Sequence, residues 1–365
     1  MVTSPRATPA STARVAGRHP SLGFYRLGWD GLTLASVGLG TYLGEPDSAT
    51  DAGYIQAIGR YLALGGNLID SAINYRFQRG ERSIGAALKA AIEAGDAARE
   101  EVVLCTKGGY LSFDGDWPAD PDRWVRETLI DPGIVQPDDI VEGHCMTPAY
   151  LRHQIAQSLD NLQVACLDLY YLHNPEGQRA AVGEAEFRRR LREAFAALEV
   201  AVAQGQIGAY GAATWNGFRA HPQAPDYLAL QDVLAVARDV SGDRHHFRAV
   251  QLPINFQMVE AFGKKNQPGP NGLAPFLEVA ADHGVTVIAS ASLLQSRVLG
   301  RLPEALRAKF AGCTTDAQRA LQFVRSAPGL TSALAGMSRV EHVEENMKLG
   351  GVEPTSPEAY RALSN

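Results

Sequence analysis

The sequence predicts an α/β fold in which eight parallel strands close into a barrel, and three observations indicate this. From about residue 35 onward, short apolar segments alternate with amphipathic helical segments. The apolar segments are nearly continuous, which is typical of parallel strands covered on both faces. There are eight such segments, a number that favours a closed barrel over an open doubly wound sheet. The predicted fold class is therefore a (β/α)8 TIM barrel.

Eight segments carry the strand pattern, and helical segments separate them. The predicted strands are LASVGLG (34–40), GNLID (66–70), VVLCTK (102–107), LDLYYLH (167–173), IGAYGAAT (207–214), RAVQLPI (248–254), VTVIAS (285–290) and TSALAG (331–336). Between the first two, Ile55, Ile58 and Leu62 recur at helical spacing and form one apolar face. A later helical segment ends at Gly205, a residue type that commonly terminates helices.

Two further segments do not fit the repeat. Residues 24–34 (FYRLGWDGLTL) predict an N-terminal hairpin that turns at Asp30-Gly31 and caps the floor of the barrel. Residues 108–147 form a long insertion after strand 3, and so long a loop in a compact domain is usually functional. Its large aromatic residues are Tyr110, Phe113, Trp117 and Trp124. Two interpretations stay open for these residues: they pack against one another, or they contact a substrate.

The two ends of the chain differ in composition from the part between them. No linker divides residues 23–350, so they are predicted to form a single barrel domain. Residues 1–22 are polar, rich in Ala, Ser, Pro and Arg, and poor in acidic residues. They lack the apolar core of a secretion signal, and a disordered N-terminal tail is favoured over a transit peptide. Residues 351–365 are predicted to be a C-terminal tail.

Composition and charge exclude several classes of partner. The 365 residues are 45% hydrophobic and 20% charged, with a net charge of −6, and no basic run indicates nucleic acid binding. The segment FRRRLR (187–192) is interpreted as the solvated face of a helix. No apolar stretch approaches the roughly 20 residues that span a bilayer. The four cysteines lie without pair spacing, which predicts reduced thiols and a cytoplasmic protein.

Four residues with reactive side chains fall where the predicted strands end. Asp70 ends strand 2, and Tyr75 lies on the loop that follows it. Lys107 ends strand 3, and His173 ends strand 4. In this fold the active site lies at the C-terminal ends of the strands, so the four side chains are expected to converge.

The chemistry of this set is that of proton transfer to a substrate oxygen. A buried ammonium lowers the pKa of a nearby phenol, so Lys107 is expected to lower that of Tyr75. The Asp70 carboxylate would keep the ammonium charged despite burial. The phenol can then donate a proton to a developing alkoxide. His173 either orients the substrate oxygen by donating a hydrogen bond to it or helps to carry the proton.

Neighbouring residues admit more than one interpretation. Arg76 and Arg79, next to Tyr75, either form ion pairs with nearby acidic residues or bind an anionic substrate. His144 and Cys145 in the insertion raise the alternative of a metal-dependent hydrolase. Two adjacent ligands rarely share one zinc ion, so no metal site is predicted.

At these residues the chain resembles the aldo-keto reductase family, over about residues 24–349. The resemblance rests on VGLGTY at strand 1, NLIDSAINY, VVLCTK, LDLYYLHNPE, the glutamine of AVQLPINF, and SALAGMSRVEHVEEN. It implies a catalytic tetrad formed by Asp70, Tyr75, Lys107 and His173. It also implies hydride transfer between a nicotinamide cofactor and an aldehyde or ketone. The implied cofactor is NADP(H), with NAD(H) as the alternative.

The resemblance assigns cofactor binding to a second set of residues. Gly40 and Thr41 correspond to positions near the nicotinamide ribose, and Gln251 corresponds to the glutamine that holds the carboxamide. The last loop and the start of helix 8 bind the adenosine end in the family. The complete implied set is Gly40, Thr41, Thr214, Trp215, Gln251, Ser290, Leu293, Ser338, Arg339, His342, Glu345 and Asn346.

Three positions depart from the family pattern. Ala213-Thr214 stands where the family has Ser-Asn. Ser290 stands where a tyrosine stacks on the nicotinamide, and Trp215 is a candidate for that stacking instead. His342 occupies a position often held by an arginine that contacts the 2′-phosphate, and Arg339 is a candidate replacement.

Two alternatives to a carbonyl reductase stay open. The segment TKGGYLSFDGD after strand 3 resembles aldose dehydrogenases of the same family. The altered nicotinamide pocket favours a cofactor-bound regulatory subunit without turnover, whereas the intact tetrad argues against one. If the protein is an enzyme, its partner is a small carbonyl or sugar molecule bound by the loops at the barrel mouth. The sequence does not reveal the specificity of these loops.

Overall fold

The structure, a computed structural model, describes residues 5–363 except 295, 296, 298, 299 and 301. Its strands are β1 (Tyr25–Leu27), β2 (Thr33–Ala35), β3 (Val37–Gly40), β4 (Leu68–Asp70), β5 (Val103–Gly108), β6 (Leu167–His173), β7 (Ile207–Ala213), β8 (Phe247–Pro253), β9 (Gln267–Gly269), β10 (Gly272–Ala274), β11 (Thr286–Ser290) and β12 (Ser332–Gly336). Its helices are α1 (Pro9–Arg18), α2 (Ser48–Ala63), α3 (Arg79–Ala94), α4 (Pro121–Val125), α5 (Pro148–Leu162), α6 (Glu176–Val182), α7 (Glu184–Ala203), α8 (Leu230–Ser241), α9 (Glu260–Gly263), α10 (Phe276–Asp282), α11 (Glu304–Arg307), α12 (Asp316–Arg325), α13 (Val340–Met347) and α14 (Pro357–Leu363). Among these helices, none has the length and apolar character that crossing a membrane requires.

Eight strands close into a parallel barrel, which confirms the predicted fold class. Around the barrel the order is β3-β4-β5-β6-β7-β8-β11-β12, and β12 returns to pair with β3. Outside it, α2 packs against α3, α5 against α7, and α7 against α8. The predicted segment 34–40 is divided, because its first residues belong to the hairpin strand β2 and the rest to β3.

An antiparallel hairpin of β1 and β2 closes the floor of the barrel, as the sequence predicts. Its turn passes through Asp30 and Gly31, both with positive φ, the conformation that tight hairpin turns require. Trp29 and Leu34 are buried in one cluster with residues of the barrel interior such as Leu68. Apolar packing therefore seals the N-terminal end of the barrel.

The N-terminal segment corrects one prediction, because residues 9–18 form helix α1 and not part of a disordered tail. Thr8 caps this helix, and its Oγ1 accepts a hydrogen bond from Ser11 N at 3.2 Å. The segment is also fixed to the barrel, since Ala7 N donates to Asp168 Oδ1 at 2.6 Å. The composition of residues 1–22 indicated disorder. The contacts that stabilise this segment involve residues distant in the sequence, so its own composition does not reveal them.

The C-terminal segment, predicted as a tail over 351–365, contains helix α14. Tyr360 in this helix is buried. Its ring stacks on Phe323 with 5.3 Å between the ring centres, and it meets Phe262 edge-on at the same distance. This end of the chain therefore packs on the barrel as the N-terminal end does.

The insertion after β5 packs partly on itself and partly against the barrel mouth. Leu129, Val135 and Cys145 of the insertion are buried in one small cluster with Tyr150 of α5. Phe113 packs edge-on against Trp117 and Trp124, with ring centres 4.9 and 5.1 Å away. Tyr110 instead lines the cavity at the barrel mouth. Phe113, Trp117 and Trp124 therefore pack within the insertion, whereas Tyr110 lies where it can contact a ligand.

Replacement of Trp29 by alanine tests the packing of the barrel floor. Trp29 is 5% exposed, so Trp29→Ala is expected to lower the free energy of unfolding by about 3–5 kcal/mol. Chemical denaturation followed by circular dichroism measures the change. Trp117 is 63% exposed and supplies the matched control, since Trp117→Ala should cost less than about 1 kcal/mol. Equal losses in the two variants would contradict a buried plug at Trp29.

Candidate active site

A cavity of about 320 Å³ opens at the C-terminal ends of the barrel strands. It brings together most of the residues that the sequence analysis assigned to the site, namely Gly40, Thr41, Asp70, Tyr75, His173, Thr214, Trp215, Gln251, Ser290 and Leu293. Tyr42, Asn74, Asn174 and Ser292 also line it. The sequence analysis did not single out these four, because no motif distinguishes them from other residues that follow strands.

Lys107 and Asp70 form a buried ion pair beside this cavity. Their strands β5 and β4 are neighbours in the barrel, and Lys107 Nζ donates to Asp70 Oδ1 and, at 2.6 Å, to Ser71 O. Gln251 lies on β8, at the opposite side of the barrel, and its Nε2 donates to Asp70 Oδ2 at 2.8 Å. Both carboxylate oxygens are therefore satisfied inside the protein, as a buried charge requires.

The partners of Lys107 keep it charged despite burial. Burial lowers the pKa of Lys107, but the Asp70 carboxylate and the Tyr75 phenol outweigh that effect, so the net shift of this pKa is upward. Burial also raises the pKa of Asp70, and the Lys107 ammonium and the Gln251 amide oppose that rise. Lys107 and Gln251 both donate to Asp70, which is the arrangement expected of an ammonium and an amide beside a carboxylate.

Tyr75 lies next to Lys107, whose ammonium nitrogen is 4.9 Å from the centre of the phenol ring. The expectation that Lys107 lowers the pKa of Tyr75 below its ordinary value is wrong in net direction. Burial raises the pKa of Tyr75, and the Lys107 charge offsets only part of that rise. The phenol is therefore protonated at neutral pH, which is the form that can donate a proton.

His173 reaches the cavity from the end of β6, and the insertion holds its backbone. His144 Nε2 donates to His173 O at 2.8 Å, and Gln178 Nε2 donates to His144 Nδ1 at 3.2 Å. These partners define a neutral His144 that carries its proton on Nε2. Burial lowers the pKa of His144 to about 4. Burial and the Lys107 charge lower the pKa of His173 well below its ordinary value, so both imidazoles are neutral at pH 7.

The loop that carries Tyr75 has an unusual backbone held by ion pairs. Residues 76–78 all have positive φ, at 49°, 55° and 72°, a region that residues other than glycine rarely occupy. Asp51 binds the guanidinium groups of Arg76 and Arg79 at 2.7 and 2.9 Å. This confirms the interpretation of both arginines as ion-pair partners. Because the Arg76 side chain is only 2% exposed, it is not available to an anionic substrate.

A buried carboxylate fixes the loop that carries Thr214 and Trp215. Glu176 begins helix α6 and is 4% exposed. Its Oε1 accepts hydrogen bonds from three successive backbone N–H groups, those of residues 215–217, at 2.7, 3.0 and 3.4 Å. Glu176 ends the LDLYYLHNPE segment, but nothing in the sequence around it indicates this role. Its partners follow the next strand, so only the folded chain reveals them.

The residues assigned to the adenosine end of a cofactor lie apart from this cavity, around the start of α13. Arg339 precedes α13 and is exposed, as is His342 on its first turn, while Ser338 is partly exposed. Glu345 accepts a hydrogen bond from the threonine that caps α12. Asn346 is buried, and its Oδ1 has no hydrogen-bond partner among the described residues. Asn346 is therefore the member of this group with an unused buried polar atom.

Comparison with known proteins identifies the family. The model of the Aldo/keto reductase family matches residues 36–309, and the chain belongs to this family. The uncharacterized oxidoreductase YqkF of Bacillus subtilis (strain 168) is 24% identical over 352 residues, covering 93% of this chain and 95% of that protein. D-threo-aldose 1-dehydrogenase of Pseudomonas sp is 30% identical over 142 residues, covering 39% of this chain and 38% of that protein.

Solved structures of aldo-keto reductases share the fold. The holo form of AKR11C1 from Bacillus halodurans is similar with a TM-score of 0.62 and 20% identity, covering 93% of this chain and 95% of that one. An aldo-keto reductase from Klebsiella pneumoniae, solved in complex with NADPH, also has a TM-score of 0.62 and 20% identity, covering 94% of each chain. At these identities the likeness establishes the barrel and its topology.

The low pKa of His144 predicts a loss of stability in mild acid. In the unfolded chain this imidazole titrates near its ordinary pKa of 6.5, whereas the folded protein keeps it neutral down to about pH 4. Its contribution is therefore fully present above pH 6.5 and is lost as the pH falls toward 4, because the unfolded state takes up the proton first. Between pH 7 and pH 5 this loss amounts to about 2 kcal/mol.

Chemical denaturation of the wild type and of His144→Gln at both pH values isolates this effect. A glutamine cannot titrate, and its amide can still donate to the carbonyl oxygen of His173. The variant is expected to lose about 2 kcal/mol less than the wild type on going from pH 7 to pH 5. Equal losses in the two proteins would show that His144 is not a buried neutral imidazole.

Proposed function

We propose that this protein is an NADP(H)-dependent oxidoreductase that interconverts an aldehyde or ketone with the corresponding alcohol. Tyr75 is the proton donor in reduction and the acceptor in oxidation. The observation that carries the proposal is the buried Lys107 ammonium, in contact with both the Asp70 carboxylate and the Tyr75 phenol beside an open cavity. Membership of the Aldo/keto reductase family supports the reaction class.

The side chains of this protein account for the proton transfer. A nicotinamide cofactor, when bound, supplies the hydride for reduction or accepts it in oxidation. Tyr75, whose pKa is raised by burial, donates its proton to the substrate oxygen as that oxygen becomes an alkoxide. Lys107 then stabilises the phenolate that remains, and Asp70 keeps Lys107 charged. In the reverse direction the phenolate takes the proton of the alcohol.

His173 is proposed to orient the substrate oxygen. Its ring lies edge-on to that of Tyr75, with 5.9 Å between the ring centres. Its pKa is well below the ordinary value, so the imidazole acts as a neutral hydrogen-bonding group and not as the acid. The bond from His144 to the His173 carbonyl makes the position of this ring depend on the insertion.

The cavity fits the nicotinamide end of such a cofactor. Thr214 Oγ1 is buried and has no hydrogen-bond partner among the described residues, and Thr214 lines the cavity together with Gly40 and Gln251. A carboxamide provides the hydrogen bond that this hydroxyl lacks. We therefore assign the nicotinamide end to Thr214, Gln251 and the neighbouring Trp215, with Gly40, Thr41, Ser290 and Leu293 around it.

The adenosine end is assigned to the start of α13. The unpartnered Oδ1 of Asn346 supplies an acceptor there, and the N-terminus of an eight-residue helix favours a phosphate. Arg339 adds a positive charge at the same end, with Ser338, His342 and Glu345 close in the chain. We propose NADP(H) over NAD(H) because aldo-keto reductases of Klebsiella pneumoniae with this fold were solved with NADP and with NADPH.

A second candidate function is the oxidation of an aldose by the same groups. The match to D-threo-aldose 1-dehydrogenase of Pseudomonas sp and the TKGGYLSFDGD segment favour it. Sugar oxidation needs no different acid or base, since Tyr75 serves in both directions. A panel of carbonyl compounds with NADPH, and of aldoses with NADP⁺, separates the two functions. A regulatory subunit without turnover is the weaker alternative, because a protein that only binds a cofactor does not need the tetrad with its proton donor.

Substitution of Tyr75 by phenylalanine tests the proton donor. The ring and its packing remain, but the proton is lost, so kcat is expected to fall by about 10²–10⁴-fold. The rate is measured by the absorbance change of NADPH under saturating substrate. Binding of NADPH, followed by quenching of tryptophan fluorescence, is expected to stay within about twofold of the wild type and to be tighter than that of NADH.

Tyr110→Phe is the matched control for this substitution. Its hydroxyl accepts a hydrogen bond from Asn174 Nδ2 at 3.2 Å, and the Tyr110 ring lines the same cavity as Tyr75. Loss of this hydroxyl should reduce kcat by less than about tenfold, since one neutral hydrogen bond is removed. Equal turnover by wild type and Tyr75→Phe would remove Tyr75 as the acid.

A further inference from the structure

A second cavity of about 310 Å³ adjoins the first at the barrel mouth. The two cavities share Tyr110, Asn174 and Trp215 among their lining residues. Because these side chains belong to both walls, the two cavities are direct neighbours, and the substrate inferred below is one elongated molecule that lies across both. The reacting end would lie beside Tyr75 in the first cavity, and the remote end would lie in the second.

The charged residues that line the second cavity are all acidic. They are Glu142 in the insertion, Glu176 at the start of α6, and Asp226 after β7. Of the described residues, no lysine, arginine or histidine lines it. The neighbouring Arg179 pairs with Glu184 and donates to backbone carbonyls at 224 and 225. Glu142 and Asp226 are less buried than Glu176, whose pKa is raised by burial. These two carboxylates therefore give the cavity a negative potential that a cation would neutralise.

One carboxylate oxygen of the second cavity is buried and lacks a hydrogen-bond partner among the described residues, which distinguishes the cavity from an acidic surface. Glu176 is 4% exposed, and backbone N–H groups satisfy its Oε1. Its Oε2 is buried and has no hydrogen-bond partner among the described residues. An unpaired oxygen of this kind is costly in a folded protein. A donor group of a ligand in the second cavity would remove that cost.

Aromatic walls add a second kind of attraction for a cation. Tyr110 and Trp215 line the second cavity as well as the first, and Trp215 keeps 41% of its surface exposed. Ammonium groups bind to the faces of such rings, most strongly to tryptophan and where the contact is desolvated. Aromatic rings next to unneutralised carboxylates are the chemistry by which proteins recognise ammonium and quaternary ammonium groups.

We propose that the second cavity binds a positively charged ammonium group at the remote end of the carbonyl substrate. The proposal rests on the proposed function, because it names the substrate class of that same site. Substrates are then aldehydes or ketones, or the matching alcohols, that carry an amine several bonds from the reacting carbon. Carboxylated and phosphorylated carbonyl compounds are disfavoured by Glu142, Glu176 and Asp226.

Three matched aldehydes test the charge preference. They are benzaldehydes with a para trimethylammoniomethyl, hydroxymethyl or carboxymethyl group. Because the ammoniomethyl group also withdraws electrons from the ring, each kcat/KM value is divided by the rate of reduction of the same aldehyde by borohydride. The value of kcat/KM with NADPH is expected to be highest for the cation and lowest for the anion. Equal values for the cation and the neutral compound, or a preference for the neutral or anionic one, would overturn the proposal.

Two substitutions assign the preference to the cavity. Glu142 has a φ of 49° and precedes Gly143 in a tight turn, a position that favours asparagine over glutamate. Glu142→Asn therefore removes the charge without loss of the turn, and Asp226→Asn is isosteric. Each should lower the kcat/KM ratio of cation to neutral aldehyde about fivefold, the effect of one charge pair at about 4 Å in water.

Glu93→Gln is the matched control, because it removes one exposed carboxylate near the far end of α3. The ratio should stay at the wild-type value in this variant. A ratio that falls equally in Glu93→Gln would show a general effect of net charge. An unchanged ratio in Glu142→Asn and Asp226→Asn would likewise overturn the assignment to this cavity.

A binding measurement separates failure of this proposal from failure of the proposed function. Benzyltrimethylammonium, which cannot be reduced, is titrated against the wild type and the combined Glu142→Asn, Asp226→Asn variant. Quenching of tryptophan fluorescence should be saturable in the wild type and at least tenfold weaker in the variant. Such binding without turnover of any carbonyl compound would overturn the proposed reaction while supporting the cation site. Binding that is absent, or equal in the two proteins, would overturn the cation site.

Discussion

The proposed active site depends on one buried positive charge, the ammonium of Lys107. The Lys107 side chain is only 1% exposed. Burying an ammonium to this extent is costly unless its partners compensate for the lost hydration. Asp70 on the adjacent strand supplies the opposing charge, and the backbone carbonyl of Ser71 supplies a second acceptor. Gln251 then satisfies the other oxygen of Asp70 from across the barrel. Removing either charge would leave the other buried and unpaired.

Three loops around this pair are each held by a polar group of another part of the chain, and two of these groups, His144 and Glu176, are buried. Asp51 holds the loop of Tyr75 through two arginines, and His144 holds the end of β6. Glu176 holds the loop of Trp215 through three backbone N–H groups. The strands fix where the reactive side chains begin, and these contacts fix how the loops approach one another. Glu176 connects the two cavities, because it shapes one wall of the first and lines the second.

The barrel and the convergence of the tetrad could be predicted because both follow from local pattern and strand ends. Eight apolar segments indicated the closed sheet, and its topology brought Asp70, Lys107 and His173 to one face. Helix α1 could not be predicted from composition, since contacts with the barrel stabilise it. The raised pKa of Tyr75 was missed because a sequence reveals its charged neighbour but not the depth of its burial. Glu176 and its backbone partners were missed because they meet only in three dimensions.

The most direct test of carbonyl reduction at this site traces a labelled hydride from NADPH into the alcohol, in the wild type and in a variant of the proton donor. The protein is incubated with NADPH that carries deuterium at both C4 positions and with an aldehyde substrate, and the alcohol is examined by mass spectrometry. We expect one deuterium on the former carbonyl carbon of the alcohol. The wild type should form this alcohol at least about a hundredfold faster than a variant that lacks the Tyr75 hydroxyl. An alcohol without deuterium, or formation at equal rates, would contradict the assignment of this cavity to carbonyl reduction.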